Sequence, residues 1–156
     1  MSVSKIKATV FSQEQLASDV FSMWLEVGNM ASEAKPGQFI SVYSNDDSKL
    51  LPRPISICEI DKENGSLRIV YRVVGYGTKE FSGCKAGDIL EIMGPLGNGY
   101  TLKKNKAILV AGGIGVPPML ELAKELDCEK TIVLGYRDEL FLNKEFEQYG
   151  KVVIAT

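Results

Sequence analysis

The sequence predicts a β domain followed by an α/β domain, because its hydrophobic pattern changes once along the chain. Before the lysine-rich segment 103–106, short runs alternate apolar and polar residues, which is the pattern of half-buried antiparallel strands. After that segment, continuous apolar runs flank amphipathic helix patterns, as in parallel sheets. We therefore expect an antiparallel β-barrel or sandwich over residues 1–101 and a partial, Rossmann-like parallel βαβαβ unit over residues 102–156.

Three segments of the first domain show strand alternation, and turn signals separate them. The residues that share a strand face are Phe21, Met23, Leu25 and Val27, then Leu67, Ile69, Tyr71 and Val73, and finally Leu90 and Ile92. The predicted turns contain Pro36-Gly37, Asp46-Asp47-Ser48, Glu63-Asn64-Gly65 and Ala86-Gly87-Asp88. Short strands with such regular punctuation are typical of a closed or two-layered β domain.

The second domain is predicted from three apolar strands, each expected to be buried on both faces, over residues 107–111, 131–135 and 152–155. A helix pattern between the first two strands consists of Met119, Leu122, Ala123 and Leu126. A shorter helix is expected over residues 144–149, with Asn143 as its N-cap and Gly150 just past its end. Such a three-stranded parallel sheet leaves an edge open, so we expect a longer protein, a covering partner or self-association.

The composition excludes several classes of function. The chain has no histidine, which removes Ser-His-Asp and Cys-His catalysis and histidine-ligated metal sites. Cys58, Cys84 and Cys128 are too far apart for a four-thiolate iron–sulfur site, so no metal site is expected and the cysteines should pack as small hydrophobes. The net charge of −2 gives no footprint for nucleic acid, and no apolar run is long enough to cross a membrane. Without a signal-peptide core, a cytoplasmic protein is expected.

Arg53, Pro54, Ile55 and Ser56 form the first motif that could carry chemistry. Prolines on both sides hold the backbone extended around Arg53, so its guanidinium is presented in a defined direction that suits a diphosphate. Ser56 should point to the same face as Pro54. Taken alone, an edge strand with a surface arginine explains these residues more simply.

Two glycine-rich segments follow. In Gly75-Tyr76-Gly77-Thr78, glycine permits close approach of the backbone to a ligand, and Thr78 could cap a short helix whose free amides attract a diphosphate. The alternative is a turn between two strands. The segment 112–118 follows a buried strand and precedes an amphipathic helix, as a dinucleotide-binding loop should. The segment matches neither the G-x-G-x-x-G pattern nor a P-loop. The alternative interpretation is that it forms a tight turn in an unrelated α/β protein.

Together, in this order, the motifs resemble the ferredoxin-reductase-like flavoproteins. Within that family they look most similar to the electron-transfer subunits of two-subunit, NAD-dependent dihydroorotate dehydrogenases. The matching motifs are Arg-Pro-Ile-Ser at 53–56, Val-Tyr-Arg at 70–72, Gly-x-Gly-Thr at 75–78, Gly-Pro-Leu-Gly-Asn-Gly at 94–99 and Gly-Gly-Ile-Gly-x-Pro-Pro at 112–118. The resemblance covers nearly the whole chain and implies a six-stranded FAD-binding barrel followed by an NAD-binding unit.

The resemblance also implies which residues bind the cofactors. Contacts to FAD are implied for Arg53, Pro54, Ile55, Ser56, Val70, Tyr71 and Arg72, with Ser56 tuning the flavin and with Gly77 and Thr78 holding the diphosphate. The nicotinamide nucleotide would face Gly112, Gly113, Gly115, Val116, Pro117 and Pro118. No side chain is implied as a catalytic acid or base, because hydride transfer to FAD needs none.

The implied activity is that of an NAD-linked, FAD-dependent oxidoreductase subunit. It would pass electrons between NAD(H) and an FMN-containing dihydroorotate dehydrogenase catalytic subunit of pyrimidine biosynthesis. A reductase for another acceptor, of hydrogenase or sulfide dehydrogenase type, and a non-catalytic flavin-binding or docking module remain alternatives.

The sequence departs from the family in one respect and leaves the choice of nucleotide open. Family members ligate a [2Fe–2S] cluster with a cysteine-rich loop near the carboxyl end, and this sequence ends before such a loop, so the cluster is expected only in a longer member. Arg137 could hold the 2′-phosphate of NADPH or lie on the surface, and Asp138 comes slightly late to contact a ribose.

Overall fold

Six antiparallel strands close into a barrel in the computed structural model, which describes residues 3–45 and 51–156. The strands are β1 (Ser4–Ala17), β2 (Val20–Glu26), β3 (Phe39–Val42), β4 (Arg53–Asp61), β5 (Ser66–Arg72) and β6 (Ile89–Leu96). They pair in the order β1-β2-β5-β4-β3-β6, and β6 pairs back with β1. The predicted barrel is confirmed, and β4 is an interior strand rather than an edge strand. The turn predicted at Asp46-Asp47-Ser48 lies outside the described residues.

The barrel core is built from the strand faces that the alternation predicts, since every residue assigned to those faces packs in it. Two short helices, α1 (Met30–Glu33) and α2 (Gly75–Ser82), add Met30 and Phe81 to the same core. Tyr71 stacks on Phe21 with ring centroids 6.1 Å apart and meets Phe81 edge-on at 6.3 Å. The Tyr71 hydroxyl donates a hydrogen bond to Oε1 of Gln13 at 2.6 Å, so this buried polar group has a partner.

The second unit is a three-stranded parallel sheet with helices in its connections, as predicted. Its elements are β7 (Ala107–Gly112), a 3₁₀ turn (Gly113–Gly115), α3 (Pro118–Glu125), β8 (Lys130–Gly135), α4 (Asn143–Phe146) and β9 (Lys151–Ala155). The strands lie in the order β7-β8-β9, and each predicted strand is one residue short at one end. The domain boundary proposed between residues 101 and 102 falls in the segment that joins β6 to β7.

The sheet is covered on one face only, which corrects the prediction that its strands are buried on both faces. Leu109 is 8% exposed and Ile132 is fully buried, whereas Ile108 is 72% and Val110 is 69% exposed. The helices and the barrel pack on the Leu109 face. No second layer covers Ile108 and Val110 within the residues that the structure describes, which is why these two side chains of the first apolar run meet solvent.

Two predicted N-caps are wrong, because both helices start earlier than the sequence suggests. Val74 is the N-cap of α2, and Gly75 turns the chain with a φ of 76°, so Thr78 lies inside the helix. Leu142 is the N-cap of α4, in the left-handed conformation with a φ of 64°, and Asn143 is the first helical residue. Burial of the Leu142 side chain holds that turn in place. The helix predicted to reach residue 149 ends at Phe146 and continues as turns.

A second apolar core joins the barrel to the α/β unit. Cys58 and Val70, on the outer face of the barrel, pack with Leu120, Ile132 and Phe146 of the α/β unit. The outward-facing side chains of Val20 in β2, Cys58 in β4 and Val70 in β5 are therefore buried, although strand alternation places them toward solvent. Among the described residues, no helix combines the length and apolar character needed to cross a membrane.

Candidate cofactor-binding site

The side chain of Arg53 lies across the first turn of α2. A β-carbon at Gly77 would be 3.0 Å from Nε of Arg53, and one at Gly75 would be 3.7 Å from Nη2. Arg53 is exposed, and no carboxylate in the described part of the chain forms an ion pair with it. The arrangement therefore brings an unneutralised guanidinium to the amino-terminal end of a helix.

The start of α2 presents further hydrogen-bond donors beside that guanidinium. The backbone N–H groups of Gly75 and Gly77 have no intrahelical acceptor, because they belong to the first turn. The Thr78 hydroxyl is not available to a ligand in the same way: it accepts from the Val74 N–H at 2.7 Å and donates to the Val74 carbonyl at 2.6 Å. A positive helix terminus beside a fork of guanidinium donors matches the charge and shape of a diphosphate.

The outer faces of β4 and β5 continue this surface toward the α/β unit. Ser56 shares the outer face of β4 with Pro54, as predicted from the strand period. Ile55 points into the barrel and is 7% exposed, and Tyr71 is likewise a barrel-core residue. Val70 is buried in the second core. Of these residues, only Pro54 and Ser56 leave side chains accessible on this surface, so Ile55, Val70 and Tyr71 would meet a cofactor through their backbone.

A cavity of about 470 Å³ lies between the barrel and the α/β unit. Its barrel wall includes Asp19 and Arg72, and Nη1 of Arg72 donates to both carboxylate oxygens of Asp19, at 2.9 and 2.8 Å. Its other wall includes Gly113 and Arg137, which follow the carboxyl ends of β7 and β8. Open α/β sheets bind their ligands at such strand ends.

The glycine loop after β7 leaves room for a ligand at this cavity. Gly113 has a φ of 56°, and a β-carbon at Gly113 or Gly115 would meet no heavy atom within 4 Å. Val116 is fully buried and Pro117, the N-cap of α3, is also buried, so both support the loop from below. Pro118 begins α3, and Gly112 ends β7. The predicted nucleotide residues thus divide into the glycines of the loop, of which Gly113 lines the cavity, and the apolar residues that hold the loop in place.

Sequence reasoning missed several residues of the cavity, among them Ser18, Asp19, Tyr136 and Glu139. Ser18 and Asp19 form the turn between β1 and β2, and a polar pair between two apolar strands is a hairpin signal. Burial raises the pKa of Tyr136 to about 12, and its hydroxyl donates to the Phe141 carbonyl at 2.7 Å, so it serves as a neutral brace.

The groups described at this site are suited to binding a ligand rather than to reacting with it. Burial raises the pKa of the Cys58 thiol well above its ordinary value, which keeps it protonated beside the second core. Within residues 3–45 and 51–156, no group of three or more Cys, Asp or Glu side chains is arranged to hold a metal ion. Positive charge, the first-turn amides of Gly75 and Gly77 and the open glycines of the loop suit a bound dinucleotide, whose own rings would carry the reaction.

Comparison with known proteins identifies relatives for both units. The family model described as oxidoreductase FAD-binding domain matches residues 7–100. A protein of Streptococcus mutans named dihydroorotate dehydrogenase B (NAD(+)), electron transfer subunit, is 44% identical over 99% of this chain and 63% of its own length. A protein of the same name from Fusobacterium nucleatum is 41% identical over 95% of this chain and 61% of its own. The chain therefore spans about three fifths of the length of these relatives.

Solved structures give the same fold. The NADH-dependent reduced ferredoxin-NADP oxidoreductase, described for flavin-based electron bifurcation, superposes with a TM-score of 0.86 at 31% identity over 94% of this chain and 55% of that one. A ferredoxin reductase of carbazole 1,9a-dioxygenase has a TM-score of 0.81 at 21% identity and shares the fold over 99% of this chain and 50% of its own. The ordered motifs and the family match over residues 7–100 agree: the chain belongs to the oxidoreductase FAD-binding domain family, among the ferredoxin-reductase-like flavoproteins.

Proposed function

We propose that this chain is the FAD-binding part of an electron-transfer subunit that passes electrons between NAD(H) and an FMN-containing dihydroorotate dehydrogenase catalytic subunit. The observation that carries the proposal is the position of the Arg53 side chain across the first turn of α2. Arg53 belongs to the same barrel that forms one wall of the cavity beside the glycine loop. The names of curated relatives at 41–44% identity support the choice of acceptor and of NAD(H).

The barrel residues would bind and orient FAD. Arg53 and the N–H groups of Gly75 and Gly77 would neutralise and hold the diphosphate, with Gly77 keeping the space that the guanidinium needs. Thr78 would maintain the helix start through its bonds to Val74. Ser56, on the outer face of β4, would hydrogen-bond the flavin ring and tune it. Bound FAD would supply the redox chemistry, which is acceptance of a hydride and onward delivery of electrons.

The α/β unit would bring the nicotinamide nucleotide to that surface. Gly112, Gly113 and Gly115 would let its diphosphate approach the backbone, while Val116, Pro117 and Pro118 hold the loop at the start of α3. Arg72 would add positive charge to the cavity, partly offset by Asp19. Pyrimidine biosynthesis and a cytoplasmic setting belong to this proposal, and the free thiols Cys58, Cys84 and Cys128 agree with a reducing compartment.

A reductase that serves a different acceptor is the second candidate. It is favoured by the 31% identity and TM-score of 0.86 to the NADH-dependent reduced ferredoxin-NADP oxidoreductase. Both candidates require the same FAD site and differ only in the protein that receives the electrons. A non-catalytic flavin-binding module would share the site and would differ by not reacting with NADH.

The test combines cofactor extraction, reduction and partner capture. The purified chain should be yellow and release FAD on denaturation, and anaerobic mixing with NADH should bleach its flavin absorption. Capture from a lysate should recover an FMN-containing dihydroorotate dehydrogenase; another redox enzyme in its place would favour the second candidate. A colourless protein that does not take up added FAD would contradict both candidates. A bound flavin that NADH does not bleach would exclude both reductases and favour the non-catalytic flavin-binding module.

A further inference from the structure

Arg68 links the barrel to the α/β unit through a partly buried ion pair. Its side chain is 6% exposed, and Nη1 and Nη2 donate to the two carboxylate oxygens of Glu145 in α4, at 2.6 and 3.2 Å. Nε donates to the Ser22 hydroxyl at 2.8 Å, and Nη1 also donates to Glu59 at 2.7 Å. Three strands of the barrel therefore fix the guanidinium, and the α/β unit contributes only Glu145.

A second link joins the same two units in the middle of the loop between β8 and α4. The backbone N–H of Ser18 lies 3.2 and 3.1 Å from the two carboxylate oxygens of Glu139, and the Ser18 hydroxyl donates to the same carboxylate. The loop is thus fastened to the barrel at its middle residue, Glu139, and again at Glu145 in α4. The hydrogen bond from Tyr136 to the Phe141 carbonyl joins the two sides of the first of these points.

The fastened loop forms one wall of the cavity that would take the nicotinamide. Tyr136, Arg137 and Phe141 line that wall, and Asp19 and Arg72 line the barrel wall opposite. The two walls belong to different units, so their separation depends on the contacts that join the units. The loop ends in α4, a helix of only four residues that cannot hold its position by its own backbone bonds.

From these contacts we infer that the Arg68–Glu145 and Ser18–Glu139 links set the position of the nucleotide wall against the flavin-binding barrel. Arg68, Glu139 and Glu145 are positioning residues, because the role inferred for them is exerted through the loop. Glu139 also lines the cavity, whereas Arg68 and Glu145 lie outside its lining. The inference rests on the proposed function for its effect on hydride transfer, whereas the links themselves are a property of the chain. A bidentate pair with a buried guanidinium suits this task, since its strength depends on direction as well as charge.

The test compares Glu145→Gln with Glu147→Gln in the FAD-loaded chain. Both substitutions remove one negative charge within three residues of each other, but Glu147 is exposed and lies outside the linked cluster. The FAD dissociation constant should stay the same in both variants. Amide hydrogen exchange over residues 136–146 should become about tenfold faster in Glu145→Gln only, because the loop opens locally. On mixing with NADH, the limiting rate of flavin reduction should fall about tenfold or more in that variant, since misplacement of reactants by about 1 Å is enough for such a loss.

Several outcomes would overturn the inference. If amide hydrogen exchange in Glu145→Gln matches that in the Glu147→Gln control, the Arg68–Glu145 pair does not hold the loop. If exchange is faster but the limiting rate of flavin reduction is unchanged, the pair does not position the nucleotide wall for hydride transfer. Should Glu145→Gln fail to fold, Glu139→Ala tests the other link, because it removes the carboxylate to which both the Ser18 N–H and the Ser18 hydroxyl donate; unchanged exchange over residues 136–141 would then count against the inference. If the wild-type chain takes up no FAD, the proposed function fails, and the exchange comparison alone decides whether the links hold the wall.

Discussion

Arg53 and Gly77 are so close that any β-carbon at position 77 would approach Nε of the arginine to 3.0 Å. We expect Gly77→Ala to push the guanidinium away from the start of α2 and so to weaken FAD binding. Charge-assisted hydrogen bonds contribute about 1.5–3 kcal/mol each, so the FAD dissociation constant should rise about tenfold. Titration of the apo-protein with FAD, followed by flavin fluorescence, measures it.

Two controls separate this steric effect from a loss of helix stability. Gly83→Ala adds the same methyl group at the other end of α2, where it meets only the Glu80 carbonyl at 3.4 Å, and should leave FAD affinity unchanged. Arg53→Ala should weaken FAD binding more than Arg53→Lys, because lysine keeps the positive charge and loses only the paired hydrogen-bond donors of the guanidinium. If Gly77→Ala binds FAD as tightly as Gly83→Ala does, the diphosphate does not lie at this helix start.

The pairing of Arg72 with Asp19 predicts an unusual gain of affinity. Asp19→Asn removes the charge that neutralises Arg72 at the cavity, so NADH should bind several-fold more tightly at low salt, and the gain should shrink as salt screens it. The folding free energy should change by less than about 1 kcal/mol, because the pair is 36% and 45% exposed. Asp127→Asn, an equal charge change at an exposed position outside the cavity lining, serves as the control. Equal NADH affinity in both variants would show that Arg72 does not face the nucleotide.

The same polar substitution should destabilise the chain strongly on one face of β7 and very little on the other. Leu109→Thr introduces a hydroxyl into the second core and should cost about 2–5 kcal/mol of unfolding free energy. Ile108→Thr falls on the uncovered face, where the side chain is 72% exposed, and should cost less than about 0.5 kcal/mol. Urea unfolding of the isolated chain measures both. A loss of several kcal/mol at Ile108 would mean that this face is covered in solution.

The barrel could be predicted from the sequence because strand alternation is a local signal. It placed Met23, Leu25 and Ile69 on the core face correctly. The same alternation placed Arg68 toward solvent, and there it failed, because Glu145 lies 77 residues further along the chain and only the packed fold brings the two charges together. Long-range ion pairs leave no periodic signal in the sequence, so their residues look like ordinary surface charges.

The residues of the candidate site likewise divide into those that the sequence predicted and those that it did not. Arg53 and Gly77 were selected from short motifs, and the fold brings them into contact. Asp19 and Glu139 were missed, because neither belongs to a motif and their place at the cavity depends on how the β1–β2 turn meets the loop after β8. Local backbone requirements can be recognised in a sequence, whereas contacts between units require the assembled fold.

Glu121 makes the stability of the chain depend on pH. Its side chain is 3% exposed, and its carboxylate accepts a hydrogen bond from the Ile60 N–H at 2.7 Å, which joins α3 to β4. Burial, together with a hydrogen bond to Glu125, raises the pKa of Glu121 from 4.5 to about 8. The folded chain therefore holds a proton that the unfolded chain releases in this range. Its stabilising contribution is fully present below about pH 4.5 and is lost as the pH rises through about 8.

Glu121→Gln isolates this effect, because glutamine keeps an oxygen acceptor for Ile60 and cannot titrate. The unfolding free energy of the wild-type chain, relative to this variant, should fall between pH 4.5 and 8 with a slope on the order of 1 kcal/mol per pH unit. Subtracting the two urea-unfolding profiles removes the contribution of groups that titrate equally in both proteins. Glu129→Gln, at a side chain that is 76% exposed, should follow the wild-type profile. Parallel profiles for wild type and Glu121→Gln would mean that Glu121 is ionised in the folded chain across this range, with Lys124, whose Nζ lies 4.0 Å away, compensating its charge.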